Sequence, residues 1–476
     1  MTTHVRQALA VSVATLTAAW VAYASHGGTS HQLLGVIALL LVNTCLVVWL
    51  AVDAAFESLK TLHVLITAVA LGAIGMLAQP LLEDDHFRYL WDGYITATTG
   101  KPFAHAPSHY FPDVSVPAVM QDALSGINNP ETPTIYGPVL QALFALCYWV
   151  APAEIWPLKL ALLGALVAVI LMLSSAGVPA RWLMVLALHP LVVKESAMTA
   201  HPDILIGAAL LAAVLAWQRS NEALAACLAA IAVATKFSAA PALLFFCISR
   251  DGRVSWRGSL ATGIALFVLY APVLQSASGT GQAGASALAQ QWTFNPLLFK
   301  IAAVALGDTA ARWACLGLFA LVWLVLAVRW IRQLRALALI APAPAMPFTP
   351  TLATTFTTTF ARPSPPLVGV FVAMLLLSPV VNPWYWLWVL PLALLPLPPI
   401  LPRLPLLPAL QFGWVAWVGA TVSLFSYAHV LTQVLAASSI TTYSVPMWAT
   451  GLQLFVIATA IVCVLNFSNP QRGKRI

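Results

Sequence analysis

Seven of the chain's 15 acidic residues (Glu83, Asp84, Asp85, Asp92, Asp113, Asp122 and Glu131) fall within 49 consecutive positions. The stretch opens EDDHFRYLWDGY, interleaving carboxylates and an arginine with aromatic rings. Three adjacent carboxylates at the end of an apolar run are costly to bury and add nothing to packing. They make sense where a group must accept a proton, pair with a cation or bind a metal. On a short helix Asp85 and Arg88 are i,i+3 neighbours, and Asp84, Arg88 and Trp91 or Asp92 share a face. An arginine beside two aspartates lowers the pKa of one, while the like-charged neighbour raises the other. That is one way to hold a general base ready near neutral pH. A solvated loop with a local Asp–Arg pair would use the same letters. The interleaved aromatics, in a chain otherwise so poor in charge, favour the site.

Four further polar islands stand out. Asn128 to Pro138 carries prolines at 130, 133 and 138, which fix a rigid lead-in to the next helix. Tyr136 then belongs either to an ordinary helix start or to the shaped wall of a site. The run His189-Pro190…Lys194-Glu195…His201-Pro202-Asp203 places ionisable groups among apolar neighbours, where they are functional candidates by default. Lys194 and Glu195 could also simply neutralise each other. Lys236 stands alone between two apolar half-runs. A desolvated lysine wants an anion, and a lipid phosphate is a natural one; the alternative is snorkelling. Finally, Ser378 to Trp388 reads SPVVNPWYWLW. Trp384 and Tyr385 there belong either to an aromatic belt or to a platform for a sugar ring or polyprenyl chain.

The elements that must position these groups follow from composition. The 476 residues are 61% hydrophobic and 8% charged, with mean hydropathy +0.89, whereas soluble domains carry roughly 25% charged residues. Lipid is the natural solvent, and the expected fold class is all-α, a polytopic bundle of about 11–14 membrane helices. The net charge of +7 does not imply nucleic acid, because the basic residues punctuate the gaps between apolar runs. Lys60, Arg181, Arg219, Arg250, Arg329 and Arg403 mark one side, which the positive-inside rule makes cytoplasmic. With the N-terminus inside, residues 83–133 lie outside. Arg181 returns to the cytoplasm if 134–152 lies along the outer surface rather than crossing, and Arg250 does so if 222–249 is a pair of half-helices broken at Thr235-Lys236. The six cysteines sit inside apolar runs without metal spacing and read as small hydrophobes. Arg6, the run from Ala8 and Ala22-Tyr23-Ala24 could pass for a cleaved signal, but a retained first span is expected. The organisation reads as N-terminal membrane helices (1–82), a large outer catalytic loop with short surface helices (83–155), a membrane core (156–340), a flexible Pro/Thr/Ala-rich cytoplasmic linker (341–365) and C-terminal membrane helices (366–476).

The motifs, taken in order, resemble a known group of enzymes. D-x-x-R-Y-x-W-D-G (Asp85–Gly93) is followed by G-x-P-F-x-x-x-P (Gly100–Pro107) and T-x-Y-x-P (Thr134–Pro138). Beyond these come His201-Pro202-Asp203, the Thr235-Lys236 break and S-P-x-x-N-P-W-Y (Ser378–Tyr385). This order, spread over about 80–390, resembles bacterial GT-C superfamily glycosyltransferases, in particular polyprenol-phosphate-mannose-dependent mannosyltransferases. The resemblance implies inverting transfer of a hexose such as mannose from a polyprenyl-phosphate donor to a glycan, lipid or protein acceptor. It further implies a site on the outer, periplasmic face of a bacterial inner membrane, surrounded by membrane lipids. By it, Asp85, with Asp84 next, matches the family's catalytic base. Arg88, Lys236 and Lys194 would steady the phosphate. Tyr89, Trp91, Asp92, Tyr136, His201, Asp203, Trp384 and Tyr385 would contact substrate. Lys101-Pro102-Phe103 and Gly137-Pro138 depart from the commoner Asn-Pro-Tyr and Pro-Pro. Phosphate is itself a good leaving group that cationic side chains can stabilise, so no cofactor and no obligatory metal are expected. The rival readings are a lipid or sugar transporter, for which no repeat is visible, and a non-catalytic membrane subunit.

Overall fold

The structure, a computed structural model, describes residues 1–276, 292–340, 364–395, 411–436 and 445–467. Among them the chain is helical, with two isolated β-bridges and no strand. The linker proposed for 341–365 lies, except for its last two residues, outside the described residues. Among the described residues four helices are long and apolar enough to cross a membrane: α1 (Thr3–Ala24), α2 (Thr29–Val52), α7 (Trp156–Ser175) and the long helix within Asp308–Leu339. Nine shorter apolar helices of 10–17 residues accompany them. In hydrocarbon only helices and closed barrels satisfy every backbone group internally, and this apolar chain takes the helical solution.

α1 and α2 form an antiparallel hairpin that packs on α3 (Thr61–Met76) and α8 (Ala180–Leu188), with α7 against α3. An ion pair of 2.9 Å between Arg6 and Asp53 ties the start of α1 to the end of α2. At the same end Arg181 reaches Glu57 at 3.3 Å. These are the ends of α3 and α8 opposite to those that lead into residues 83–85 and 189–203.

The segment 83–155 carries α4 (Asp85–Thr99), α5 (Ala118–Ser125) and α6 (Pro138–Val150). α4 stops at Gly100, whose φ of 66° is the left-handed cap that a side chain resists. Its 15 residues split into two faces. Tyr89 joins the main core, whereas Trp91 and Ile95 pack with Val116, Met120 and Leu124 into a separate small core. At 13 residues α6 spans only about 20 Å, short of a bilayer core.

Two irregularities shape the interior. After α8 the chain forms a π-helical turn, Val192–Met198, in which the amide of Thr199 bonds the carbonyl of Lys194 and that of His201 bonds Glu195. Such widened turns are frequent at functional sites. The apolar run 222–249 breaks as its sequence suggests: α10 (Glu222–Thr235) ends at an extended Lys236, and a 3₁₀ segment, Phe237–Cys247, follows. The start of α6 seats on this break, with Gly137 N–H bonding the Thr235 carbonyl at 3.1 Å.

Candidate active site

The sequence-expected residues divide into three neighbouring groups. The first is a buried row of charges. Asp85 Oδ2 lies 3.6 Å from His201 Nε2, and the other ring nitrogen, Nδ1, lies 2.9 Å from Glu195 Oε2. Lys194 Nζ is 3.2 Å from that same Glu195 oxygen, and the Tyr427 hydroxyl donates to Glu195 Oε1 at 3.0 Å. Lys194 also donates to the Tyr427 hydroxyl. His201 stacks face to face on Trp384, ring centroids 3.6 Å apart and planes 9° from parallel. The chain enters this row through two non-glycine residues in the left-handed region, Leu82 (φ 60°) and Ala200 (φ 67°). Each such residue costs about 1–3 kcal/mol, and such strain clusters at functional sites.

The second group surrounds Lys236. Its ammonium lies 3.2 Å from Asp203 Oδ1 and 4.2 Å from the centre of the Tyr385 ring. Trp388, stacked on Tyr385 at 4.6 Å, donates its indole N–H to the same Asp203 oxygen at 2.6 Å. A carboxylate and two aromatic faces therefore compensate one buried cation. The third group lies on α4 and the proline-rich lead-in. Arg88 Nε stands 3.7 Å from Asp92, and Arg88 also donates to the carbonyl of Thr132. Asp92 is held by Thr134 and by Gln141 Nε2 at 3.0 Å. Tyr136 and Phe144 pack against Tyr89 at 5.3 and 5.1 Å.

Asp84 and Asp85 diverge. Asp84 accepts from Asn128 Nδ2, while Asp85, in the first turn of α4, turns towards His201. Trp91 lies in the small core on the other face of α4, apart from the charged row.

The electrostatics separate the carboxyls. Burial pushes Asp85 up, but His201, Lys236 and Arg88 together outweigh it and hold the group below the ordinary carboxylate range. Burial raises Asp92 against the opposing Arg88 charge, and pushes Glu83 up to about 7. The sequence argument expected one raised and one lowered aspartate beside Arg88. Here His201 leads Lys236 and Arg88 in lowering Asp85, and burial rather than a like-charged neighbour raises Asp92. In the turn 199–203, burial opposes the charge of His201, yet Asp85 and Glu195 raise it to about 9. The surrounding charges thus favour the ionised form of Asp85 and the protonated form of His201.

Sequence reasoning passed over Glu195 as more than a partner for Lys194, and it missed Tyr427, Trp388, Thr134 and Gln141. Tyr427 had one signal, the polar run Ser426-Tyr427-Ala428-His429 inside an otherwise apolar stretch. Among the described residues no group of three His, Cys, Asp or Glu side chains is arranged to hold a metal ion. Residues 2–250 match the MptA_B family, described as alpha-(1->6)-mannopyranosyltransferase, N-terminal domain. No curated protein and no solved structure matches the chain.

Proposed function

The chain belongs to the alpha-(1->6)-mannopyranosyltransferase family and is a membrane-embedded mannosyltransferase, and we propose that it takes mannose from a polyprenyl-phosphate donor, with Asp85 as general base. The acceptor hydroxyl oxygen attacks the anomeric carbon as the bond from that carbon to the phosphate oxygen breaks. The hydroxyl proton passes to Asp85, and the electron pair leaves with the polyprenyl phosphate. An α-(1→6) product formed with inversion requires a β-linked donor. The charges of Lys236 and Arg88 both act on Asp85, and the two cations would offset the charge growing on the departing phosphate.

One observation carries this reading. Of the residues ion-paired in the buried network Asp85 is the most open, with 24% of its side chain exposed. Lys236 and Arg88 reach only 10% and 11%, and Asp203, Lys194, His201 and Glu195 1% or less. A base must reach its proton, and this carboxylate combines ionisation with access. Lipid-linked donor chemistry also suits a site at the rim of an apolar bundle. The outer, periplasmic location in a bacterial inner membrane is supported by Arg6, Arg181 and Glu57, which gather at the helix ends opposite the site.

Asp85→Asn tests the assignment. With synthetic polyprenyl-phosphate mannose and membranes of matched protein content, transfer should fall about 10²–10⁴-fold, and further than in Asp84→Asn. Near wild-type transfer by Asp85→Asn would show that another group takes the proton.

A further inference from the structure

Glu195 has no part in the scheme above, yet both its oxygens are committed. One meets His201 Nδ1 at 2.9 Å and Lys194 at 3.2 Å, and the other accepts from Tyr427 at 3.0 Å. The far nitrogen of the same imidazole faces Asp85 at 3.6 Å. The ring cannot swing, because Trp384 covers one face at 3.6 Å and Tyr89 meets it edge-on at 6.4 Å. A neutral imidazole has one N–H and one lone pair. Set between two carboxylates it would aim a lone pair at one of them, in a place where His201 and Glu195 have no solvent exposure. With both carboxylates ionised, only the doubly protonated ring suits both neighbours. The row then alternates in sign, from Asp85 through His201 and Glu195 to Lys194, and the second carboxylate is balanced rather than left as surplus negative charge.

We propose that Glu195 and His201 form a positioning pair: Glu195 clamps His201 as a fixed imidazolium, and that cation orients Asp85 and keeps it ionised for proton transfer. The proposal rests on Asp85 as the base. His201 acts through Asp85 rather than on the sugar, supplying an internal positive charge at the base. The other charged groups facing this row are Arg88 on the same helix as Asp85, Lys236 at the end of α10 paired with Asp203, and Glu83 just before α4. Lys236 and Arg88 also favour the Asp85 anion, but neither adjoins it in the way His201 does, and His201 outranks both in lowering its pKa.

The test compares Glu195→Gln and His201→Gln with wild type in the purified full-length protein, using synthetic polyprenyl-phosphate mannose and octyl α-mannoside as probes. Glu195→Gln should lower kcat about 10–100-fold, the range seen when the carboxylate behind a metal-ligating histidine is lost, with KM for the donor little changed. In both variants the acidic limb of kcat/KM should move up by about 1–3 pH units, since burial of Asp85 would no longer be opposed by the ring. A merely structural role would lower rates without moving that limb, and an unmoved limb overturns the proposal. A second measurement does not need turnover. In ¹⁵N-histidine-labelled protein, with His201 assigned from the His201→Gln difference spectrum, the ring should be doubly protonated at pH 7.5 and titrate lower in Glu195→Gln. A neutral ring at pH 7.5 in wild type overturns the clamp. The two readings fail separately. An active Asp85→Asn enzyme removes the base, and the spectrum still judges the clamp. An inactive Asp85→Asn with an unmoved limb in His201→Gln removes the pair and leaves the base.

Discussion

His201 and Lys236 are both cations held beside carboxylates, and they should respond differently to change. His201 is raised in the folded protein to about 9 from an ordinary 6.5, so the folded state binds its proton more tightly. The stability this contributes is complete below about pH 6.5 and is lost as pH rises through about 9. Thermal unfolding in detergent should therefore show Tm falling across that window, and the fall should be smaller in His201→Gln. Activity should decline over the same basic limb, because Asp85 then loses its nearest cation. Lys236 instead belongs to a buried pair. Lys236→Met leaves the Asp203 carboxylate enclosed with its indole donor but no cation. Breaking one half of such a pair costs about 3–5 kcal/mol. Adding Asp203→Asn should recover most of the lost Tm without restoring transfer. Recovery of transfer as well would mean that the lysine serves only the fold.

At the scale of elements, the site depends on how α6 meets the break after α10. A Cβ on Gly137 would stand 2.1 Å from the carbonyl oxygen of Ala234, closer than any real contact. Gly137→Ala must push α6 off the Thr235–Lys236 corner, carrying Tyr136 and the Thr134 and Gln141 contacts of Asp92 with it. Transfer should fall at least about tenfold, since small misplacements far from the reacting atoms are costly, and Tm should drop. Gly164→Ala in α7, where nothing lies within 4 Å of the added methyl, is the matched control and should change neither. Equal behaviour of the two variants would mean that the α6 contact does not hold the site. The break itself was readable in the letters, because a lysine between two apolar half-runs cannot lie comfortably inside a continuous buried helix. The π-helical turn was not. Nothing in LVVKESAM distinguishes a widened turn from an ordinary one, and only the packing around Lys194 and Glu195 selects it.

For the whole molecule the question is orientation. The basic contacts Arg6–Asp53 and Arg181–Glu57 lie at one set of helix ends, and Asp85, His201 and Lys236 lie beyond the others. In a cysteine-free background, Asp113→Cys should react with an impermeant maleimide added outside intact cells, and Arg253→Cys only after permeabilisation. The reverse pattern would turn the site to the cytoplasm. Membership of a mannosyltransferase family sets aside the transporter and non-catalytic readings.

Composition and residue order by themselves determined the solvent, the helical class, the broken run at Lys236 and the short list of polar residues that could act. A chain with 8% charge can hide so few ionisable groups that each one left in an apolar run is informative. They also determined the resemblance that pointed to mannosyl transfer, which the family match over residues 2–250 bears out. Tertiary structure decided which of those residues meet. Asp84 and Asp85 are adjacent in sequence, yet Asp84 precedes α4 while Asp85 opens its first turn, and one meets Asn128 and the other His201. Trp91 sits in the same motif as Asp85 and packs into a different core. Glu195 and Tyr427 are 232 positions apart, and no local pattern links them. The charged row exists because helices far apart in sequence bring their ends together, where each buried charge must find its opposite.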